Sequence, residues 1–79
     1  MTRVNWQDRV SIDQDIHHGT PCIKGTRIPV AVIVGSLADG MSVAEIIEAY
    51  PQLKPEDVSA ALAYAAEVMR QEIVVPLSA

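Results

Sequence analysis

Apolar residues recur at Val30, Ile33, Val34 and Leu37, the i, i+3, i+4 and i+7 spacing of one helical face, and the pattern stops at Gly40. Pro29 lacks the N–H that a first helical turn leaves unpaired and pushes Ile28 toward an extended conformation, so a first helix is predicted over 29–39, with Pro29 at its first position. Ser42 and Glu45 then have the spacing of a capping box, and Met41 and Ile46 that of a hydrophobic staple. The second helix carries Val43, Ile46, Ile47 and Tyr50 on one face and ends at Pro51. A third is predicted over 55–71, with Pro55 at its start and Glu56 and Asp57 in the first turn, where free N–H groups favour acidic side chains. Its expected buried stripe is Val58, Ala61, Leu62, Ala65 and Met69. Ala60, Ala63, Glu56 and Glu67 then point elsewhere, and Tyr64 and Ala66 fall on the flanks.

Ahead of these helices the period changes. Val4 and Trp6, then Val10, Ile12 and Ile16, alternate briefly with polar positions, as one or two short strands would. After "HHGTP", Cys22–Ile23 and Thr26–Ile28 fit two further strand arms around Lys24 and Gly25, where glycine supplies a positive φ. The expected fold is mainly α: a three-helix core containing a helix-turn-helix, behind a short N-terminal β-hairpin or strand arm.

Length sharpens this picture. The 79 residues make one domain, divided into a β-rich arm (1–28), a helical core (29–71) and an apolar tail (72–79). Aromatic residues are 4% of the chain, being Trp6, Tyr50 and Tyr64 with no phenylalanine, so aliphatic and alanine side chains must fill the core, with Trp6 expected to plug it. A chain this short buries a modest fraction of its apolar surface, and a homo-oligomer, a dimer in the simplest case, is expected.

Cys22 is the one cysteine, which excludes an internal disulfide and a cysteine-based zinc cage. With no signal-like segment and no apolar run of about 18 residues, the expectation is a cytoplasmic protein with no membrane partner. His17 and His18 beside Asp13 and Asp15 lack further ligands at a recognised spacing, so no metal is expected. Cys22 with either histidine lacks a visible activating or oxyanion group, and Lys24-Gly25-Thr26 lacks the glycine pattern of a phosphate-binding loop. No catalytic residue and no cofactor is expected, and the chain reads as a non-enzyme.

The net charge of −4 is uneven. Charges balance over residues 1–40, whereas 41–79 set Lys54 and Arg70 against Glu45, Glu48, Glu56, Asp57, Glu67 and Glu72. A nucleic-acid surface would therefore use the first half, with Lys24, Thr26, Arg27 and Arg9 as candidate DNA contacts, supplemented by Lys54 and Ser59 around the third helix. The competing reading closes a turn with Lys24 and Arg27, with Arg27 meeting Asp39 or Glu45. A protein partner accounts for more of the chain: Tyr64, Ile73, Val74, Val75 and Leu77 are the candidate contacts, through an aromatic anchor and the apolar tail.

Three stretches, "GTPCIKGTRIPV", "LADGMSVAEIIEAYPQL" and "EDVSAALAYA", resemble the domain-of-unknown-function family 433 over residues 16–65. The match runs through Gly25, Thr26, Arg27 and Ile28, then Gly40, Ser42, Glu45, Tyr50, Pro51 and Leu53, then Asp57, Ala61, Leu62 and Tyr64. Thr20 departs from it where a basic residue is common, and Lys54 where a small hydroxyl is usual before the third helix. The resemblance implies a homeodomain-like fold and a bacterial antitoxin, similar to that of VapB/VapC-like toxin-antitoxin modules, that binds and neutralises a PIN-like toxin. It also implies autoregulation through operator DNA. The alternatives are a DNA-binding transcriptional regulator and a non-enzymatic homodimeric interaction domain.

Overall fold

The computed structural model describes residues 5–12 and 19–72. In chain order it has a 3-10 turn at Trp6–Asp8, strands β1 (Val10–Ser11) and β2 (Cys22–Ile23), and helices α1 (Val30–Ala38), α2 (Val43–Ala49) and α3 (Pro55–Glu72). The fold is mainly α, with three helices packed on one another and a short antiparallel strand pair at the N-terminal side.

Each helix boundary has a local cause. Pro29 is extended, with φ −67° and ψ 145°, so it caps α1 from outside and Val30 opens the helix, one residue later than predicted. The extended ψ lets Pro29 bridge to Cys22, and the Val30 N–H finds the Pro21 carbonyl at 2.9 Å. At its other end α1 closes in a Schellman motif: the Gly40 N–H donates to Leu37 O and the Met41 N–H to Ser36 O, both at 3.0 Å, with Gly40 at φ +96°. The capping box of α2 forms in both directions: the Glu45 N–H donates to Ser42 Oγ at 3.1 Å and the Ser42 N–H to Glu45 Oε1 at 2.8 Å. The Ser42 backbone N–H, and after it the Ser42 hydroxyl, hold the Glu45 carboxyl below its ordinary pKa.

α3 begins with half of such a box. Lys54 has no hydroxyl to cap with, but the Asp57 carboxylate accepts from the Lys54 N–H through Oδ2 at 2.9 Å. Its other oxygen, Oδ1, takes the Arg9 guanidinium at 3.0 Å. Asp57 is buried, and both of its oxygens have a donor.

The core is aliphatic. Ile33 and Ile46 are 0% exposed, and Val10, Ile23, Val30, Leu53, Val58, Ala60 and Ala61 join them in one cluster, with Cys22 buried as well. Four expectations need correction. Trp6 is in a 3-10 turn instead of a strand; it packs on the core, its ring edge-on to Tyr64 with centroids 4.9 Å apart. The partner of β2 is β1, with Val10 opposite Ile23 and Ser11 opposite Cys22; Thr26–Ile28 forms no strand and meets Ile23 through turn hydrogen bonds instead. Val43, in the first turn of α2, is 40% exposed, so that helix meets the core one turn later, at Ile46.

The fourth correction concerns α3. Its buried residues are Asp57, Val58, Ala60 and Ala61, with Tyr64 half-buried behind them, whereas Leu62 is 46% and Met69 57% exposed. The buried face is turned by close to one residue step, ~100° in an α-helix. The cause is the N-terminal segment, which lies against α3 through the Trp6–Tyr64 and Arg9–Asp57 contacts and covers a flank that the periodicity left open. Val4, Ile16, His17, His18 and the tail residues Ile73, Val74, Val75 and Leu77 lie outside the described residues.

Candidate functional site

The basic turn is built tightly. The Thr26 N–H donates to Ile23 O at 3.0 Å, with Gly25 between them at φ +79°. The Thr26 hydroxyl donates to Ile23 O at 2.8 Å and accepts from the Ile28 N–H at 3.0 Å, so it closes the turn from both sides. The Lys24 N–H donates to Arg9 O at 2.8 Å, anchoring the turn to the segment before β1. What remains free is charge: Lys24 and Arg27 are exposed and make no ion pair among the described residues. Glu45, one expected partner of Arg27, is engaged with Ser42 instead. Arg27 and Thr26 share an open cleft of about 570 Å³ with Ser11, Ile28 and Gln52.

The other candidate DNA contacts do not gather around this turn. Arg9 is held on Asp57. Ser59 is exposed on a separate face, where it lines a hollow with Trp6, Gln7 and Arg70. Lys54 is exposed at the start of α3. On α3 itself, Ala60, expected to point away from the buried stripe, belongs to the core.

A different surface is chemically simpler. Between α1 and the C-terminal half of α3 runs a groove of about 320 Å³ lined by Pro21, Val30, Ala31, Val34, Tyr64, Ala65, Val68 and Met69, with no charged side chain among them. Two helices make its walls because Ala31 and Ala65 are too small to close it. Leu62, Ala65 and Met69 stand at i, i+3 and i+7, so the α3 wall continues an exposed apolar stripe. That stripe is three of the five residues whose periodicity predicted burial. The fold covers the opposite flank of the helix and leaves this one open. Tyr64 sits at the boundary, one side against Trp6 and the other lining the groove. Sequence reasoning named Tyr64 as a contact and put Val34 on the α1 stripe, but gave no role to Pro21 or Ala31, and Pro21 reaches the groove only through the hydrogen bond from the Val30 N–H.

Cys22 is buried, and burial pushes its thiol pKa up, away from the reactive thiolate. Among the described residues no group of three or more His, Cys, Asp or Glu side chains could hold a metal ion, and no helix is long and apolar enough to cross a membrane.

Comparison with known proteins gives a consistent kinship. The family model described as "Protein of unknown function (DUF433)" matches residues 10–65. An uncharacterized protein, y4eO, of Sinorhizobium fredii is 43% identical over 56 residues, which are 71% of this chain and 25% of that one. The chain thus spans a quarter of that relative's length. The crystal structure of a DUF433 member protein from Anabaena variabilis superposes with a TM-score of 0.75 at 34% identity, covering 82% of this chain and 64% of that one.

Proposed function

The chain belongs to the DUF433 family, and on that footing we propose that it is a non-enzymatic antitoxin, which binds a PIN-like toxin encoded beside it and neutralises it in the cytoplasm. The observation that carries the reading is the uncharged groove between α1 and α3, continued by Leu62 and Met69. An exposed apolar strip of this kind has the make-up of the core of a protein interface. The toxin as partner comes from the family resemblance; the groove is where this chain would meet it.

Co-expression with the neighbouring gene tests this. Restored growth and a co-purifying complex are expected, both lost on Met69→Asp. A neighbour that neither binds the chain nor is silenced by it contradicts the reading.

A second reading, autoregulation through operator DNA, is favoured by Lys24 and Arg27, which project from a stiff turn and make no ion pair among the described residues. Phosphate contacts of this kind position a protein on the duplex without reading bases. Binding to the chain's own promoter would weaken with salt and with Lys24→Ala and Arg27→Ala together. No promoter binding, with or without the toxin, rules it out.

A further inference from the structure

We propose that Gln52 reads an A·T base pair in duplex DNA, with Arg27 holding a neighbouring phosphate in the cleft that the two residues share. This rests on the operator-DNA reading and supplies the base contact that phosphate binding alone lacks. Two rigid turns deliver the side chains. Gln52 follows Pro51, whose ring fixes φ, and precedes Leu53, which is buried and donates its N–H to Tyr50 O at 2.9 Å. Arg27 follows Thr26, whose hydroxyl closes the basic turn from both sides. Both side chains are exposed, and among the described residues neither has an ion-pair or hydrogen-bond partner.

The make-up of the cleft selects the ligand. Its described lining, Ser11, Gly25, Thr26, Arg27, Ile28 and Gln52, carries a positive charge and no acidic side chain, in a chain whose net charge is −4. Most of such a surface repels a polyanion, and this part admits one. The cleft is open, so it does not enclose most of a free nucleotide as small-ligand sites do. None of its lining residues is aromatic, so it offers no platform on which the bases of a single strand could stack. Double-stranded RNA keeps the base edges of its deep groove out of side-chain reach. Duplex DNA remains: its sugar-phosphate strand is a ridge that an open cleft accepts, beside a major groove that side chains enter. There a glutamine amide matches the N6 donor and N7 acceptor of adenine, and an apolar side chain meets the methyl group of the paired thymine. Ile28, half-buried in the same cleft, provides that apolar contact.

Selection of bound duplexes from a randomised pool by the full chain tests this. The parent chain is expected to enrich a site containing a fixed A·T pair. Gln52→Ala should keep duplex binding but lose discrimination at that pair by roughly ten- to a hundredfold. Gln52→Glu should move the preference there to C·G, because a carboxylate accepts from the cytosine amino group, a switch that a merely structural role for Gln52 does not produce. Arg27→Ala should weaken binding to every duplex about equally. If Gln52→Ala leaves the enriched site unchanged while Arg27→Ala weakens binding, Gln52 is not the reader and the operator reading stands. If the chain binds no duplex, both fall. Tighter binding to a single strand or an RNA hairpin of the same sequence than to the duplex also overturns the proposal.

Discussion

Arg9 and Asp57, 48 positions apart, meet at 3.0 Å, and the same carboxylate caps α3 by accepting the Lys54 N–H at 2.9 Å. One buried side chain thereby starts a helix and ties down the N-terminal segment. Because Asp57 is buried while the Arg9 side chain is 34% exposed, loss of Arg9 strands a carboxylate that water reaches poorly. Arg9→Met is expected to cost about 1–3 kcal/mol in urea unfolding. Asp57→Asn in the same background should restore part of that loss, since the buried group is then neutral. Additive single and double effects would show that the two residues are not coupled.

The α2 cap responds to acid with a definite sign. Glu45 titrates lower in the folded chain than when unfolded, because its ionised form accepts the Ser42 N–H. Its contribution is present above the unfolded carboxylate pKa and is lost as pH falls through the depressed folded value. Glu45→Gln should flatten the acid limb of stability against pH, while Ser42→Ala should cost about 1 kcal/mol at neutral pH.

Gly25 isolates a backbone effect. A Cβ built there meets nothing within 4 Å, yet φ is +79°. Gly25→Ala should therefore cost about 1–2 kcal/mol through conformation alone. The same change at Gly35, where a Cβ also meets nothing within 4 Å and φ is not positive, should stabilise α1 by up to about 1 kcal/mol. Thermal unfolding of the two variants should move in opposite directions.

The turned face of α3 gives a paired test. Ala60 is 0% exposed and Leu62 46% exposed. Ala60→Leu should overpack the core and cost about 1–3 kcal/mol, whereas Leu62→Ala should stay within about 0.5 kcal/mol of the parent. The reverse ranking would restore the stripe that simple periodicity predicts.

That contrast marks where sequence reasoning succeeds here. The α1 stripe, the Gly40 stop and the Ser42–Glu45 box are decided within a few residues of themselves, so spacing and side-chain chemistry specify them. The phase of α3 is decided by Trp6 and Arg9, about fifty positions away, and an alanine-rich helix such as "SAALAYAA" tolerates burial of several faces equally well. The pairing of β2 with β1, rather than with Thr26–Ile28, is likewise a long-range choice. The basic turn was legible as a turn, but not whether its charges are paired; among the described residues Lys24 and Arg27 make no ion pair. The groove was not, because its walls come from two helices and exist only once α3 has rotated.

The account depends most on that uncovered flank of α3 being a protein-binding surface. The direct measurement is a titration of the isotopically labelled chain with the purified product of its neighbouring gene, read at individual methyl and amide signals. Ala31, Ala65 and Met69 are predicted to shift while the signals of the Ala60 core stay in place. A complex that forms with the groove signals unmoved, or a titration in which no signal moves, would contradict the account.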